Sequence, residues 1–499
     1  MQKTRYVIKN KWVDENKFIS MEPERTNLPS FNEVKNLLPK PFLNRNSIAI
    51  DCYWKVWEIA FKNLKPATQE NGFIANYIDT AFNNYIFMWD SVFILMFGKY
   101  GRRAFNFQRT LDNFYCKQEA DGYISREIHN DTGVYRWEAY DPVSTGPNIM
   151  HWSEFEHYLN YADKKRLEMI FPPLVAYHEW TRLFRSWPDG SYWNTGYGCG
   201  MDNQPRLKDD NLQMQNAHHG FLSWIDANFQ ALFSAKNLLK IAEILGRKDE
   251  VKFLEIEAEF LQQFINEKMW NEKESFYFDR YRDGTLNSVK SVGAFWGLIA
   301  DAVPEERLDT FISNLKDEKQ FNRPHRVPSI NANHPAYKSD GGYWLGSVWP
   351  PTNYMILRGL TKIGEDDLAF EIAENHLKNV WAVFKKYGTV FENYSPEFEE
   401  PGKPAMKDFV GWGGVPPIAV FLEYYLGVRP DVPNNQIIWD IRLLDTHGVE
   451  NYPFGNDGII NLKCEKRNSI SDEPVVTVKS NKTINLIVKW GKQKKIVTT

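Results

Sequence analysis

Cysteine is scarce, with four residues in a chain of 499: Cys52, Cys116, Cys199 and Cys464. None lies in a CxxC pair or at metal-ligand spacing, so the sequence implies no metal site and no disulfide framework. Long apolar runs are missing too. None approaches the roughly 18 residues that cross a bilayer. The segment Met1-Gln2-Lys3-Thr4-Arg5 is not followed by an apolar stretch, so no secretory signal is expected in the chain as it stands. A cytoplasmic protein and a periplasmic one that has lost its signal would look alike here. Charge of one sign is also lacking. Sixty Lys and Arg face 64 Asp and Glu, a net of -4, which favours neither nucleic acid nor an anionic membrane as partner. There is no low-complexity segment and no alignable repeat, and nothing marks an oligomeric state.

Aromatic residues are abundant: 18 Trp, 24 Tyr and 33 Phe. With 43% apolar residues, the chain can build a large core that holds most of these rings. Trp and Tyr also stack on the apolar faces of sugars while keeping a polar edge for hydrogen bonds. That second use fits best where Trp clusters with Gly, Asn, Asp and Glu in loops.

Apolar periodicity divides the chain in three. Residues 1–70 carry Pro at 23, 29, 39, 41 and 66 and read as an irregular arm with one helix near Tyr53–Phe61. From 71 to 428 helices alternate with loops. Helical spacing covers 91–115 as a pair, 152–164, 174–186, 222–246, 250–269, 292–302, 304–316, 349–363, 365–387 and 415–426. Helices joined by alternating short and long loops predict paired helical layers, an α/α six-hairpin barrel with the chemistry on its long loops. After Gly427-Val428-Arg429-Pro430 the period becomes two, at 436–442, 459–463, 475–478 and 484–490. Residues 429–499 therefore predict a small antiparallel β domain, sandwich-like.

Five loop motifs carry candidate chemistry. In Gly198-Cys199-Gly200-Met201-Asp202-Asn203-Gln204-Pro205-Arg206, Asp202 follows Trp187, Tyr192, Trp193 and Tyr197. A carboxyl among rings can be held protonated by burial, as a general acid requires. The plainer alternative is a turn aspartate bonded to its own backbone. Met88-Trp89-Asp90-Ser91 opens a helix, where Asp90 could be a cap. Asn216-Ala217-His218-His219-Gly220 invites a metal, but adjacent histidines cannot easily share one ion and no third ligand is evident. His219 then reads as a structural or sugar-contacting residue. Gly341-Gly342-Tyr343-Trp344-Leu345-Gly346-Ser347-Val348-Trp349-Pro350-Pro351 runs into a helix with Pro in its first turn. Phe391-Glu392-Asn393-Tyr394 precedes Asp408-Phe409-Val410-Gly411-Trp412-Gly413-Gly414. Asp202 and Glu392 could face each other across a barrel mouth. Such a pair is what glycoside hydrolysis uses, and no cofactor is needed.

Taken in order, Trp89-Asp90-Ser91, Gly200-Met201-Asp202-Asn203-Gln204-Pro205-Arg206, the run 341–354, Phe391-Glu392-Asn393-Tyr394 and Gly411-Trp412-Gly413 resemble the glycoside hydrolases of family 63. They are also similar to family 37 trehalases and to bacterial glucosylglycerate and mannosylglycerate hydrolases. The resemblance covers roughly 80–428. It implies a six-hairpin barrel and an inverting, exo-acting enzyme on α-linked glucosides or similar sugars. It implies Asp202 as general acid, Glu392 as general base, Asp90 as a binder of sugar hydroxyls, and Trp89, Trp344, Trp349 and Trp412 as pocket walls. Asn203, Arg206, Trp152 and His219 complete the expected sugar contacts. Many members have Tyr-Trp-Arg-Gly-Pro where this chain has Tyr343-Trp344-Leu345-Gly346-Ser347, which removes a bidentate donor. Three other chemistries fit a helical barrel: a lyase with His218 or His219 as base, an epimerase, or a phosphorylase with Arg206 for phosphate. A sugar-binding protein without catalysis is the alternative from another class.

Overall fold

The computed structural model describes residues 8–207 and 216–498. Among them, six helices form an inner ring: Met88–Gly98, Met150–Tyr161, Ile225–Leu245, Trp296–Ile299, Pro350–Lys362 and the π-helical Val415–Tyr425. Each packs on the next, and the last returns to the first. The sequences explain their place. Met88–Gly98 is apolar nearly all round and every residue in it is buried, as a helix with neighbours on all sides must be.

Outside the ring lie Ser47–Lys62, Lys164–Phe184, Lys252–Lys268, Glu305–Lys316 and Asp366–Tyr387. These keep a polar face. Asp366–Tyr387 begins with acids, ends with Lys385 and Lys386, and stops at Gly388 with φ +71. That arrangement opposes the helix dipole and caps its C-terminus. Lys164–Phe184 begins ten residues before the expected start at 174 and carries Pro172 and Pro173 inside it. The helix starts earlier because Asp163 caps the N–H of Arg166. The Gln118 side chain donates to the Pro173 carbonyl at 2.9 Å.

The segment expected as a helix pair over 91–115 is one helix followed by 3-10 turns at Lys99–Gly101 and Phe107–Leu111 and a single turn at Asp112–Tyr115.

The C-terminal strands form two four-stranded sheets. One contains Val428–Asp431, Gln436–Asp440, Asn485–Trp490 and Gln493–Thr498. In it, Gln436–Asp440 and Asn485–Trp490 run parallel, contrary to the antiparallel expectation, because the chain leaves for the other sheet between them. The second sheet contains His447–Phe454, Gly458–Cys464 and Val476–Ser480, and its edge is Lys40–Leu43, with Leu43 opposite His447. The first 70 residues are thus not a separate arm. One stretch completes the β domain, and Ser47–Lys62 packs on Val415–Tyr425 and Asp366–Tyr387. One large apolar cluster runs from Trp12 to Trp490, beside a small one of Tyr123, Ala139 and Trp180. No helix among the described residues is long and apolar enough to cross a membrane.

Candidate active site

The N-terminal ends of the inner helices and the loops before them enclose a cavity of about 310 Å³. That is the lower end of the range for small-molecule sites. Trp89 and Asp90 come from the first turn of Met88–Gly98. Asp202 comes from the loop after the single turn Gly196–Cys199, Tyr343 and Trp344 from the loop before Pro350–Lys362, and Glu392 from the loop after Gly388. Trp412, Arg126, Glu127, Arg136 and Trp137 also line the cavity. Gly200 has φ +75, and a Cβ there would meet the Trp89 indole at 3.2 Å, so glycine lets the Asp202 loop lie on that ring.

Four carboxyls line this space, those of Asp90, Glu127, Asp202 and Glu392, and burial dominates in Asp90, Asp202 and Glu392. Burial pushes Asp202 up to about 7; Arg126 pulls it down, while Glu392 and Glu127 push it further up. Burial also lifts Asp90 well above the usual carboxylate range, with Glu392 adding to the effect. Phe87, not Asp90, occupies the helix cap, without a side-chain cap bond. Glu392 is raised by burial and pulled back by two donors. The Tyr343 hydroxyl donates to its Oε1 at 3.0 Å and the Met406 N–H to its Oε2 at 3.0 Å. The Trp412 indole donates to the Glu392 backbone carbonyl at 2.6 Å, fixing that residue's main chain as well. In the cavity wall, Glu127 bridges Arg126 at 2.6 Å and Arg136 at 2.9 Å.

Six of the expected residues therefore meet: Trp89, Asp90, Asp202, Trp344, Glu392 and Trp412. The others do not line the cavity. Arg206 is fully buried and grips Asp226 (2.8 and 3.0 Å) and Asp279 (2.5 and 2.8 Å) while lying over Trp224. It ties the Asp202 loop to helix Ile225–Leu245, and its charge is used there. Trp349 is buried behind Trp344, parallel to it at 3.9 Å. Trp152 sits deeper in the ring, stacked on Tyr354 and edge-on to Phe93 and Trp296. His219 belongs to a cluster with Trp187, Trp193 and Phe221, and burial pushes it down to about 4. The Asn203 amide is taken up by the backbone of Gly342 and Trp344. The sequence reading missed Tyr343, Arg126, Glu127, Arg136 and Trp137. Tyr343 lay inside a quoted motif. The other four lie in a stretch whose Gly, Asp and Pro content gives it no period.

Known proteins resemble this chain in sequence and in fold. The sequence model of the family "Mannosylglycerate hydrolase MGH1-like glycoside hydrolase domain" matches residues 83–409. An uncharacterized protein of Borreliella burgdorferi is 25% identical over 364 residues, which cover 70% of this chain and 74% of that one. A probable mannosyl-oligosaccharide glucosidase of Schizosaccharomyces pombe is 25% identical over 279 residues, covering 49% of this chain; the match spans only 33% of that longer protein. Among solved structures, the GH63 mannosylglycerate hydrolase of Thermus thermophilus in complex with glucose aligns with a TM-score of 0.58 at 18% identity. That alignment covers 74% of this chain and 99% of the other.

Proposed function

From the premise that this chain belongs to the mannosylglycerate hydrolase MGH1-like family, and is therefore a glycoside hydrolase, we propose an inverting mechanism with Asp202 as acid and Glu392 as base. We take the closed ring of helices with its outer layer to be the α/α six-hairpin barrel of that group. The observation that carries the mechanism is a carboxyl held to about 7 in the same cavity as a carboxylate fixed by two donors. Near neutral pH, Asp202 keeps a proton to give to the leaving glycosidic oxygen. Glu392, with a free lone pair on each oxygen, takes a proton from the attacking water. Charge develops on the sugar ring as the bond breaks, and the faces of Trp89, Trp344 and Trp412 lie where they can stack on it. Asp90 is placed to bind ring hydroxyls.

The aromatic layer of Trp152, Trp296 and Phe93 closes the barrel below the cavity, which supports exo action on a terminal sugar. The substrate class is an α-linked glucoside or a related sugar such as an α-mannoside. The lyase reading loses its candidate bases, because His218 and His219 lie outside the cavity. The phosphorylase reading loses Arg206 to its buried ion pairs.

The test is proton NMR of anomeric signals during digestion of a panel of α-linked glucosides and mannosides, including glyceryl and glycerate glycosides. Release of the β-anomer first, abolished in Asp202→Asn, is the expected result. Release of the α-anomer first would overturn inversion. Full activity in Asp202→Asn would overturn the acid assignment.

A further inference from the structure

Tyr343 stands out in the cavity wall. It is the third of three consecutive residues with left-handed backbone: Gly341 at φ +108, Gly342 at +52 and Tyr343 at +65. The first two are glycines, for which this costs little. A tyrosine in the same conformation is strained, so something must hold it there. The contacts around it show what does. The Asn203 side chain accepts from the Trp344 N–H at 2.8 Å and donates to the Gly342 carbonyl at 3.0 Å. These are the two peptide groups on either side of Tyr343, and one amide side chain engages both. The Trp349 indole N–H points at the Tyr343 carbonyl at 3.4 Å, and the Trp349 ring meets the Tyr343 ring edge-on at 5.0 Å. So held, the phenol hydroxyl is delivered to Oε1 of Glu392.

We propose that Tyr343 is a positioning residue for Glu392 and that Asn203 sets it by gripping both flanking peptides. The inference rests on Glu392 being the base. Asn203 is the neighbour of Asp202, so the loop carrying the acid also fixes the partner of the base. A pair of carboxyls that must stay at one separation for a water to fit between base and sugar benefits from such a direct tie.

The phenol does two things at Glu392. It fixes the orientation of the carboxylate together with Met406. It also donates to the charged form, which opposes the upward push of burial. Losing the hydroxyl therefore has a signature that loose packing alone lacks. The base needs a higher pH to ionise, and the acid limb of the rate profile moves up.

The experiment compares Tyr343→Phe, Asn203→Ala, the double variant and Glu392→Gln, using a panel substrate that the wild type turns over. In Tyr343→Phe the acid limb of kcat/KM is expected to rise by about one pH unit. kcat at neutral pH should fall about tenfold, with KM changed less. Asn203→Ala should move the same limb in the same direction, and the double variant should add nothing beyond Tyr343→Phe. A fall in rate with the limb unmoved would reduce Tyr343 to a packing role and overturn the proposal, as would additive effects in the double variant. Activity retained in Glu392→Gln would instead remove the base assignment, and the inference with it. A crystal structure of Asn203→Ala gives a readout independent of turnover. The Tyr343 hydroxyl should leave Glu392, and an unchanged contact would overturn the role of Asn203.

Discussion

Replacing Asp202 by Asn should remove activity and, at alkaline pH, make the protein more stable. The ordinary value for an aspartate is 3.8, and burial in the cavity lifts Asp202 to about 7. The folded state therefore holds this proton more tightly than the unfolded chain. Between those two values the unfolded state has released its proton and the folded state has not, so stability falls as pH rises. The fall is complete above about pH 7, where the folded protein carries a desolvated carboxylate.

A gap of about three pH units corresponds to ~4 kcal/mol. About 3 kcal/mol of it develops between roughly pH 5 and pH 8. Asn has nearly the same shape and no proton to lose, so the variant escapes that cost. With an unfolding entropy of about 2.1 cal/mol/K per residue, a chain of this length changes by ~1 kcal/mol per degree, so the gain is ~3 °C in Tm. The assay is differential scanning calorimetry of wild type and Asp202→Asn at both pH values. The expected result is a Tm difference that grows in favour of the variant by about 3 °C on going to the higher pH. A difference that stays constant, or shrinks, would refute the claim that Asp202 is held protonated by its surroundings.

Three further outcomes follow from the same geometry. The wild-type pH profile of kcat/KM should be a bell whose alkaline limb lies near the value of about 7 held by Asp202, and Arg126→Gln should move that limb to higher pH, since Arg126 pulls Asp202 down. Arg206→Met should destabilise the fold by about 3–5 kcal/mol, measured by thermal or urea unfolding, because it leaves the buried carboxylates of Asp226 and Asp279 without the cation they share. Trp344→Ala should raise KM by at least about tenfold through loss of a cavity wall, read by steady-state kinetics, and should also loosen Trp349, which stacks behind it.

Much of the architecture was legible because it rests on local rules. Inner helices such as Met88–Gly98 and Val415–Tyr425 announce themselves by being apolar all round, and outer ones such as Asp366–Tyr387 by a stripe and charged ends. The start of Lys164–Phe184 was read ten residues late, because its first turns, Lys164-Lys165-Arg166, are charged and its Pro172-Pro173 pair is carried inside the helix. Strand Lys40–Leu43 was illegible because four residues containing a proline become a strand only when His447–Phe454 lies beside them. In the site, carboxyls and rings in glycine-rich loops could be singled out by type, since only such loops combine acid, aromatic and turn residues. Type did not separate Trp344, which faces the cavity, from Trp349, which supports it from behind. Nor did it separate Arg206, an internal tie, from Arg126 and Arg136, which face the site.

The helical body, the β tail and the loops that carry Asp202 and Glu392 could be read from the chain alone, because periodicity and turn chemistry act over a few residues. Only the tertiary structure decided which side of each residue meets the cavity and which group pairs with which. It brought Glu127 between two arginines, set the Asn203 amide on a backbone rather than in the cavity, and raised Asp202 by desolvation. Burial and Coulomb forces depend on distance through space, and space here joins residues that are more than a hundred positions apart in the chain.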